Sequence, residues 1–463
     1  MRISLNTDLA VSSVPRFYPE TYTDKVEGFL LVYAPLSEKG LVVLNKDAAF
    51  LYSLIDGKRM LKDIWQSAQK EVPKIGFSVI KQTFQDFYAS EIIHFGKPKT
   101  TLELSAKKIK TISVWLHITN QCNLRCTYCY VRKTVEKMSP AVGKKAIDKV
   151  YRTAQKHAIE KVTLKFSGGE ALLELPMILT LVKQAKSLSK KYGIETDFVV
   201  LSNGILIDEK VAKILKGNNL RVAVSLDGLK KYHDRTRIFP SGIDSFDLVI
   251  KGINNLMKAK VPFNVSITIS AKNIDGIPEL TRYLLDRNIH FAFNFYRENP
   301  FVTEELEGND KKLVERLKKA YQYLYDNPPE YPVMDSLLDR VHFSKPHLHP
   351  CGMGHSYLVI NHQGELSSCQ MTLEKSIGSI DDPDLMETMI KGNFVRPIGL
   401  TVLGKTPCRN CQWKYLCGGG CPLLTYQQKG RYDTSSPYCS VYKALIPEVL
   451  RIEAKRLIKY GVR

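Results

Sequence analysis

The chain runs to 463 residues, 44% hydrophobic and 25% charged, with 67 Lys and Arg against 47 Asp and Glu, and ten cysteines. At roughly 100 to 200 residues per domain, this length predicts about three domains with ample buried core. No run of ~20 apolar residues occurs, and Met1-Arg2-Ile3-Ser4 leads into polar sequence, which argues against a membrane span or signal peptide and predicts a soluble, cytoplasmic protein. The formal charge of +20 invites a nucleic-acid reading. The basic residues, however, fall in short groups such as Lys107-Lys108, Lys190-Lys191 and Lys318-Lys319, without interleaved aromatics. A solvated basic surface that steers an acidic peptide is the better expectation.

In chain order, residues 29–33 and 40–44 are apolar, β-branched runs that predict two short strands. Asn45 can cap a helix over 47–55, where Ala48, Leu51, Tyr52 and Ile55 form an apolar stripe that Asp56-Gly57 ends. Helical periodicity resumes over 60–71 and 77–90, and 92–95 reads as a closing strand. The run N-K-D-A-A-F-L-Y-S-L-I-D-G-K-R at 45–59, in this setting, resembles the small peptide chaperone of pyrroloquinoline quinone biosynthesis and its leader-recognition relatives. The resemblance covers residues 21–95 and implies a winged helix that binds a substrate's leader as an added strand.

Residues 96–110, rich in Lys and Thr, read as a linker. Strand-like and helix-like runs then alternate over 111–320, with strands expected at 112–118, 161–166, 197–201, 221–226, 263–269 and 290–295, the pattern of parallel α/β architecture. The loop leaving the first strand reads C-N-L-R-C-T-Y-C at 122–129. Its thiols Cys122, Cys126 and Cys129 can hold three irons of a 4Fe-4S cube and leave the fourth iron open. Loops at the C-terminal ends of strands are where α/β barrels place their sites. The second strand ends in Ser167-Gly168-Gly169-Glu170, whose glycines let backbone approach a ligand and whose carboxylate can receive an ammonium. Zinc also takes closely spaced cysteines, but usually four of them.

Together these two motifs resemble the radical S-adenosylmethionine (SAM) superfamily. The resemblance implies an open, partial (β/α)6 barrel and SAM chelated to the open iron, with a 5′-deoxyadenosyl radical as the hydrogen-abstracting species. It assigns the backbone of Tyr128 to the adenine and Gly168, Gly169 and Glu170 to the methionine ammonium. At later strand ends it points to Asn203 as a polar contact, Ser225 for the ribose and Arg237 for the carboxylate. No catalytic side chain is singled out beyond those holding the SAM cluster.

The remaining cysteines run Cys351, Cys369, Cys408-x2-Cys411-x5-Cys417-x3-Cys421 and Cys439, with Gly364 between the first two. This spacing resembles the SPASM extension of peptide-modifying radical SAM enzymes, over 351–440, after a bridging region at 321–350 and before a C-terminal helix at 441–463. The family pattern implies two further 4Fe-4S clusters, making three. Cys408, Cys411, Cys417 and Cys439 hold the outer one, and Cys351, Cys369 and Cys421 the inner one, which is one ligand short. His355 and a substrate thiolate are the two candidates for that place. C-x2-C with C-x3-C also suits a zinc ribbon.

The expectation is a maturase of a ribosomally made precursor peptide with a leader, forming a thioether or carbon–carbon crosslink and reduced by an external donor such as flavodoxin or ferredoxin. Gln370 follows Cys369 where sulfatase-maturing relatives carry an aspartate base, and an amide cannot serve as a base. Oxidation or decarboxylation of a small molecule or tetrapyrrole is the second enzyme reading. A non-catalytic metal-cluster protein that binds nucleic acid is the third.

Overall fold

In the computed structural model, residues 9–97, 109–302, 306, 308–393, 397 and 399–461 are described, so most of the expected 96–110 linker lies outside the described residues. The chain begins with β1 (Pro15–Phe17) and a three-stranded antiparallel sheet of β2 (Tyr22–Val26), β3 (Phe29–Tyr33) and β4 (Leu41–Leu44), with β3 central. Three helices follow, α1 (Lys46–Ser53), α2 (Leu61–Glu71) and α3 (Phe77–Ala89), before β5 (Ile93–Phe95) returns to pair with β1. Asn45 Oδ1 accepts from the Ala48 amide at 2.9 Å, satisfying one of the free donors of the α1 N-terminus. Leu51, Tyr52 and Ile55 pack with Ile64, Ile80, Phe84 and Phe87 into a core of this unit's own. The unit starts earlier than the expected residue 21. Strands β1 and β2 carry the polar sequences Pro-Arg-Phe and Tyr-Thr-Asp-Lys-Val and are defined by pairing rather than by apolar alternation.

The central body is a run of strand–helix units: β6 (Thr111–Thr119), α4 (Pro140–Lys156), β7 (Lys161–Gly168), α5 (Leu175–Tyr192), β8 (Glu195–Ser202), α6 (Glu209–Gly217) and β9 (Arg221–Ser225). It continues with α7 (Lys230–His233), α8 (Phe246–Lys258), β10 (Phe263–Ile269), α9 (Ile277–Asp286) and β11 (Phe291–Phe295). The six strands are parallel and neighbour one another in chain order. Burial alternates along them. Val222, Val224, Val265, Ile267, Phe291 and Phe293 are fully covered, while the intervening Ala223, Ser225, Asn264, Ser266, Ala292 and Asn294 are half-buried. The buried set is the face that the helices cover, and the half-buried set faces the lumen. A closed eight-stranded barrel fills that space with branched apolar side chains. This one leaves it polar and open.

After α10 (Asp310–Asp326), the strand β12 (Tyr357–Ile360) adds in parallel to β6, with Tyr357 opposite Ser113, and β13 (Glu365–Ser367) and β14 (Gly378–Ser379) extend the sheet antiparallel. The cysteine-rich region thus continues the barrel's own sheet. The expected borders at 320/321 and 440/441 fall inside helices, because α10 runs on to Asp326 and the last long helix already starts at Cys439. Short helices α11 (Leu385–Lys391), α12 (Lys414–Cys417) and α13 (Pro422–Lys429) precede that last helix, α14 (Cys439–Tyr460). It packs on α10 and on the N-terminal sheet, where Arg451 pairs with Asp24 at 2.7 Å and Lys455 with Glu27. Lys414 reaches Glu20, and the rings of Tyr22 and Trp413 sit 5.1 Å apart. Among the described residues no helix is long and apolar enough to cross a membrane.

Candidate active site

The loop after β6 is held as an extra strand-like segment. Its Arg125 and Thr127 amides donate to the Ile238 and Thr236 carbonyls at 2.8 and 2.9 Å. Within it the three thiols lie close enough to act on one another electrostatically. Burial pushes the Cys126 thiol up to about 12, and Cys129 and Cys122 add to this while Arg237 opposes it. Lys133 Nζ donates to Cys129 Sγ at 3.0 Å, and Arg237 Nη1 lies 3.8 Å from Cys126 Sγ. Among the described residues no three His, Cys, Asp or Glu side chains converge as a single metal ion requires. An iron–sulfur cube takes each thiolate on a different iron, so three half-buried thiols gathered together beside two cations fit such a group.

Asp227 organises the rim, a role that sequence reasoning missed. It is fully buried, and its Oδ2 accepts from Arg237 Nε at 2.6 Å and from the Tyr128 hydroxyl. Its Oδ1 accepts from the Thr268 amide at 2.9 Å and its carbonyl from Asn273 Nδ2 at 2.7 Å. The Arg237 guanidinium lies 5.2 Å from the Tyr128 ring centre. Arg237 therefore spends part of its fork on Asp227. The Tyr128 carbonyl, expected at the adenine, accepts from Asn299 Nδ2 at 3.2 Å.

Glu170 is also buried and already engaged. It accepts from the Leu172 amide at 3.0 Å, the Ser202 hydroxyl at 2.9 Å and the Asn203 amide at 2.7 Å, tying the end of β7 to that of β8. About one of the carboxylate's four acceptor sites remains for an ammonium. The glycines before it answer the protein's own backbone. A Cβ on Gly168 would stand 2.4 Å from the Thr119 carbonyl oxygen, and one on Gly169 2.1 Å from that of Gln121. Asn203 Nδ2 donates to Asn123 Oδ1 at 2.7 Å and so fixes the cysteine loop from beneath. Ser225 ends β9 opposite Ser266, on the lumen side.

The other seven thiols fall into two groups. Burial pushes Cys369 up to about 12, with Cys421 and Cys351 adding to it. Burial acts upward on Cys421 too, but the guanidiniums of Arg297 and Arg340 hold it below its ordinary value. Cys417, buried and pushed up to about 12, faces Cys408, Cys411 and Cys439. Between Cys417 and Cys421 the three glycines adopt φ of 54°, 81° and 69°, and a Cβ on Gly420 would stand 2.4 Å from that of Ser436. Only glycine turns the chain this sharply in so little space, and the turn sends neighbouring cysteines to different groups. His355 is exposed, its ring 6.2 Å from that of His349, and it does not line the cavity beside Cys351. Tyr130, missed in sequence, follows Cys129 directly, and its phenol is within electrostatic reach of both Cys129 and Cys369. Gln370 Oε1 accepts from the Tyr357 hydroxyl at 2.8 Å.

Two cavities meet inside the barrel. One, of about 660 Å³, is lined by Val199, Ala223, Asn264 and His290. The other, of about 380 Å³, opens onto Cys351, Cys369 and Cys421. Trp115 and Lys165 line both.

The profile of the Radical SAM superfamily matches residues 116–284. A cysteine-type anaerobic sulfatase-maturating enzyme of Clostridium perfringens is 26% identical over 350 residues, covering 70% of this chain and 91% of that one. Among solved structures, native anSMEcpe with bound AdoMet and Cp18Cys peptide superposes with a TM-score of 0.60 at 21% identity, over 75% of this chain and 99% of that one. Streptococcus suis SuiB bound to precursor peptide SuiA gives 0.52 at 14% identity, over 92% and 100%. These two likenesses are of fold.

Proposed function

Taking as premise that the chain is a radical SAM enzyme, we propose that it matures a ribosomally made peptide by forming a thioether or carbon–carbon crosslink. The leader adds as a strand to an edge of the β2–β3–β4 sheet, and the core segment enters the lumen. The observation that carries this reading is the cavity of about 380 Å³ that opens onto Cys351, Cys369 and Cys421, with Tyr130 bridging electrostatically from Cys369 to Cys129 of the first cysteine loop. The sulfatase-maturating relative and SuiB, described with its precursor peptide, support a peptide as the substrate class.

Cys122, Cys126 and Cys129 hold the SAM-binding cluster, the inner trio and outer quartet hold the auxiliary ones, and an external donor such as flavodoxin or ferredoxin supplies electrons. When bound, these groups supply a 5′-deoxyadenosyl radical for hydrogen abstraction and an acceptor for the electron released on crosslinking. The chain's own residues orient the parts. Asp227 fixes Arg237 and Tyr128, Glu170 and Asn203 brace the loop, and the half-buried lumen residues position the substrate carbon. A substrate thiolate takes the place left by the three-cysteine inner set, which brings sulfur next to the activated carbon.

The test is anaerobic turnover with SAM, dithionite and a library of cysteine-containing precursor peptides. Faster 5′-deoxyadenosine release together with loss of two hydrogens from one peptide supports the reading. SAM cleavage that leaves every peptide unaltered contradicts it.

A further inference from the structure

Resting on the reading of the substrate as a peptide, we infer that the lumen binds an aspartate or glutamate side chain of that substrate on the ammonium of Lys165. Lys165 lies in the middle of β7, directly opposite Trp115 of β6 in the parallel register, and both side chains line the junction of the two cavities. The charges that act on Lys165 are the guanidiniums of Arg340 and Arg221, both positive, on top of the cost of burial. Among the described residues it has no hydrogen bond or ion pair, and its ammonium lies 6.0 Å from the Tyr357 ring centre.

Among the described residues, two neighbouring donors are in the same condition. Trp115 is 8% exposed and its Nε1 has no acceptor. Ser113, two residues back on the same face, has a buried hydroxyl without a partner. The acids nearby are committed elsewhere. Asp339 takes Arg297 at 2.6 Å, with Arg340 Nε at 3.7 Å, and Asp197 takes Lys161 at 3.0 Å and Arg221 at 3.4 Å.

A half-buried cation without a counter-charge and buried N–H and O–H groups without acceptors are each costly, and a methionine or leucine of similar length would avoid the largest of these costs. One carboxylate accepts up to four hydrogen bonds, carries the charge that Lys165 lacks, and offsets the repulsion from both arginines. The site lines the cavity that also opens onto Cys351, Cys369 and Cys421, so an acidic residue held there fixes the register of the core peptide beside that trio.

The test is calorimetric titration of the reconstituted full-length protein with N-acetyl-glycyl-aspartyl-glycinamide and its asparaginyl counterpart, which match in shape and differ in charge. The wild type is expected to bind the aspartyl peptide at least tenfold more tightly. Lys165→Met removes that preference, and Lys165→Arg keeps it. Equal binding of the two peptides, binding of neither, or a preference that survives Lys165→Met overturns the inference. The broader peptide reading is judged separately by coupled SAM cleavage and stands or falls without this result.

Discussion

The two ends of the barrel lumen handle charge in opposite ways. At the upper rim every buried charge is answered within the chain: Asp227 receives Arg237, Tyr128 and the Thr268 amide, and Glu170 receives three donors. At the lower junction Lys165 faces two arginines, while Trp115 and Ser113 carry donors that nothing among the described residues accepts. The upper end is a site braced in advance, as the proposed hydrogen abstraction at one carbon demands. The lower end is completed by whatever binds.

The sharpest way to break this contrast is to remove the upper site's thiols. Cys126→Ala is expected to reduce 5′-deoxyadenosine formation to background and lower the iron content by about four per chain, read by reductive SAM cleavage and iron assay. Asp227→Asn comes next, because it leaves Arg237 buried without its partner. A stability loss of ~3–5 kcal/mol and a roughly 10²-fold drop in SAM cleavage are expected, measured by denaturant unfolding and turnover. An unfolding midpoint unmoved by Asp227→Asn would remove the basis of the comparison.

Lys165→Met sharpens the contrast from the other side. Replacing an unanswered, half-buried cation with an apolar chain is expected to raise stability by about 1 kcal/mol. A loss of several kcal/mol in the same unfolding assay would mean that Lys165 already has a structural partner.

The smallest effect belongs to neither end. Asp384 caps α11, accepting from the Met386 and Glu387 amides, and binds Lys156 and His157 of the α4 C-terminus. Burial acts upward on its carboxyl, but the Lys156 and His157 hydrogen bonds prevail and hold it at about 2. Because the folded value lies below the ordinary 3.8, its contribution is complete above that pH and fades as pH falls toward about 2. Asp384→Ala is expected to cost ~1 kcal/mol at neutral pH, with the gap from wild type closing in acid, as a pH series of unfolding curves would show.

What the sequence disclosed follows from where each constraint acts. Cys122, Cys126 and Cys129, and the run from Cys408 to Cys421, lie within a few residues of one another, so their grouping was legible from spacing. The six parallel strands were legible from alternating apolar runs. Strand β2 was not, because its polar residues are ordered by pairing with β3. Asp227 was not singled out, although an acid directly following a strand end was a usable signal. The meeting of Lys165 with Trp115, Arg221 and Arg340 joins elements far apart in sequence, and only the folded sheet brings them together. Glu170 and its glycines stood out at a strand end, but their packing against Thr119 and Gln121 comes from the fold.

The most direct test of the central claim is anaerobic reconstitution followed by iron counting and a 5′-deoxyadenosine assay with dithionite and SAM. About twelve irons per chain, four for each of three cubes, with deoxyadenosine formed, is the predicted result. Zinc in place of iron, with SAM left intact, would contradict it.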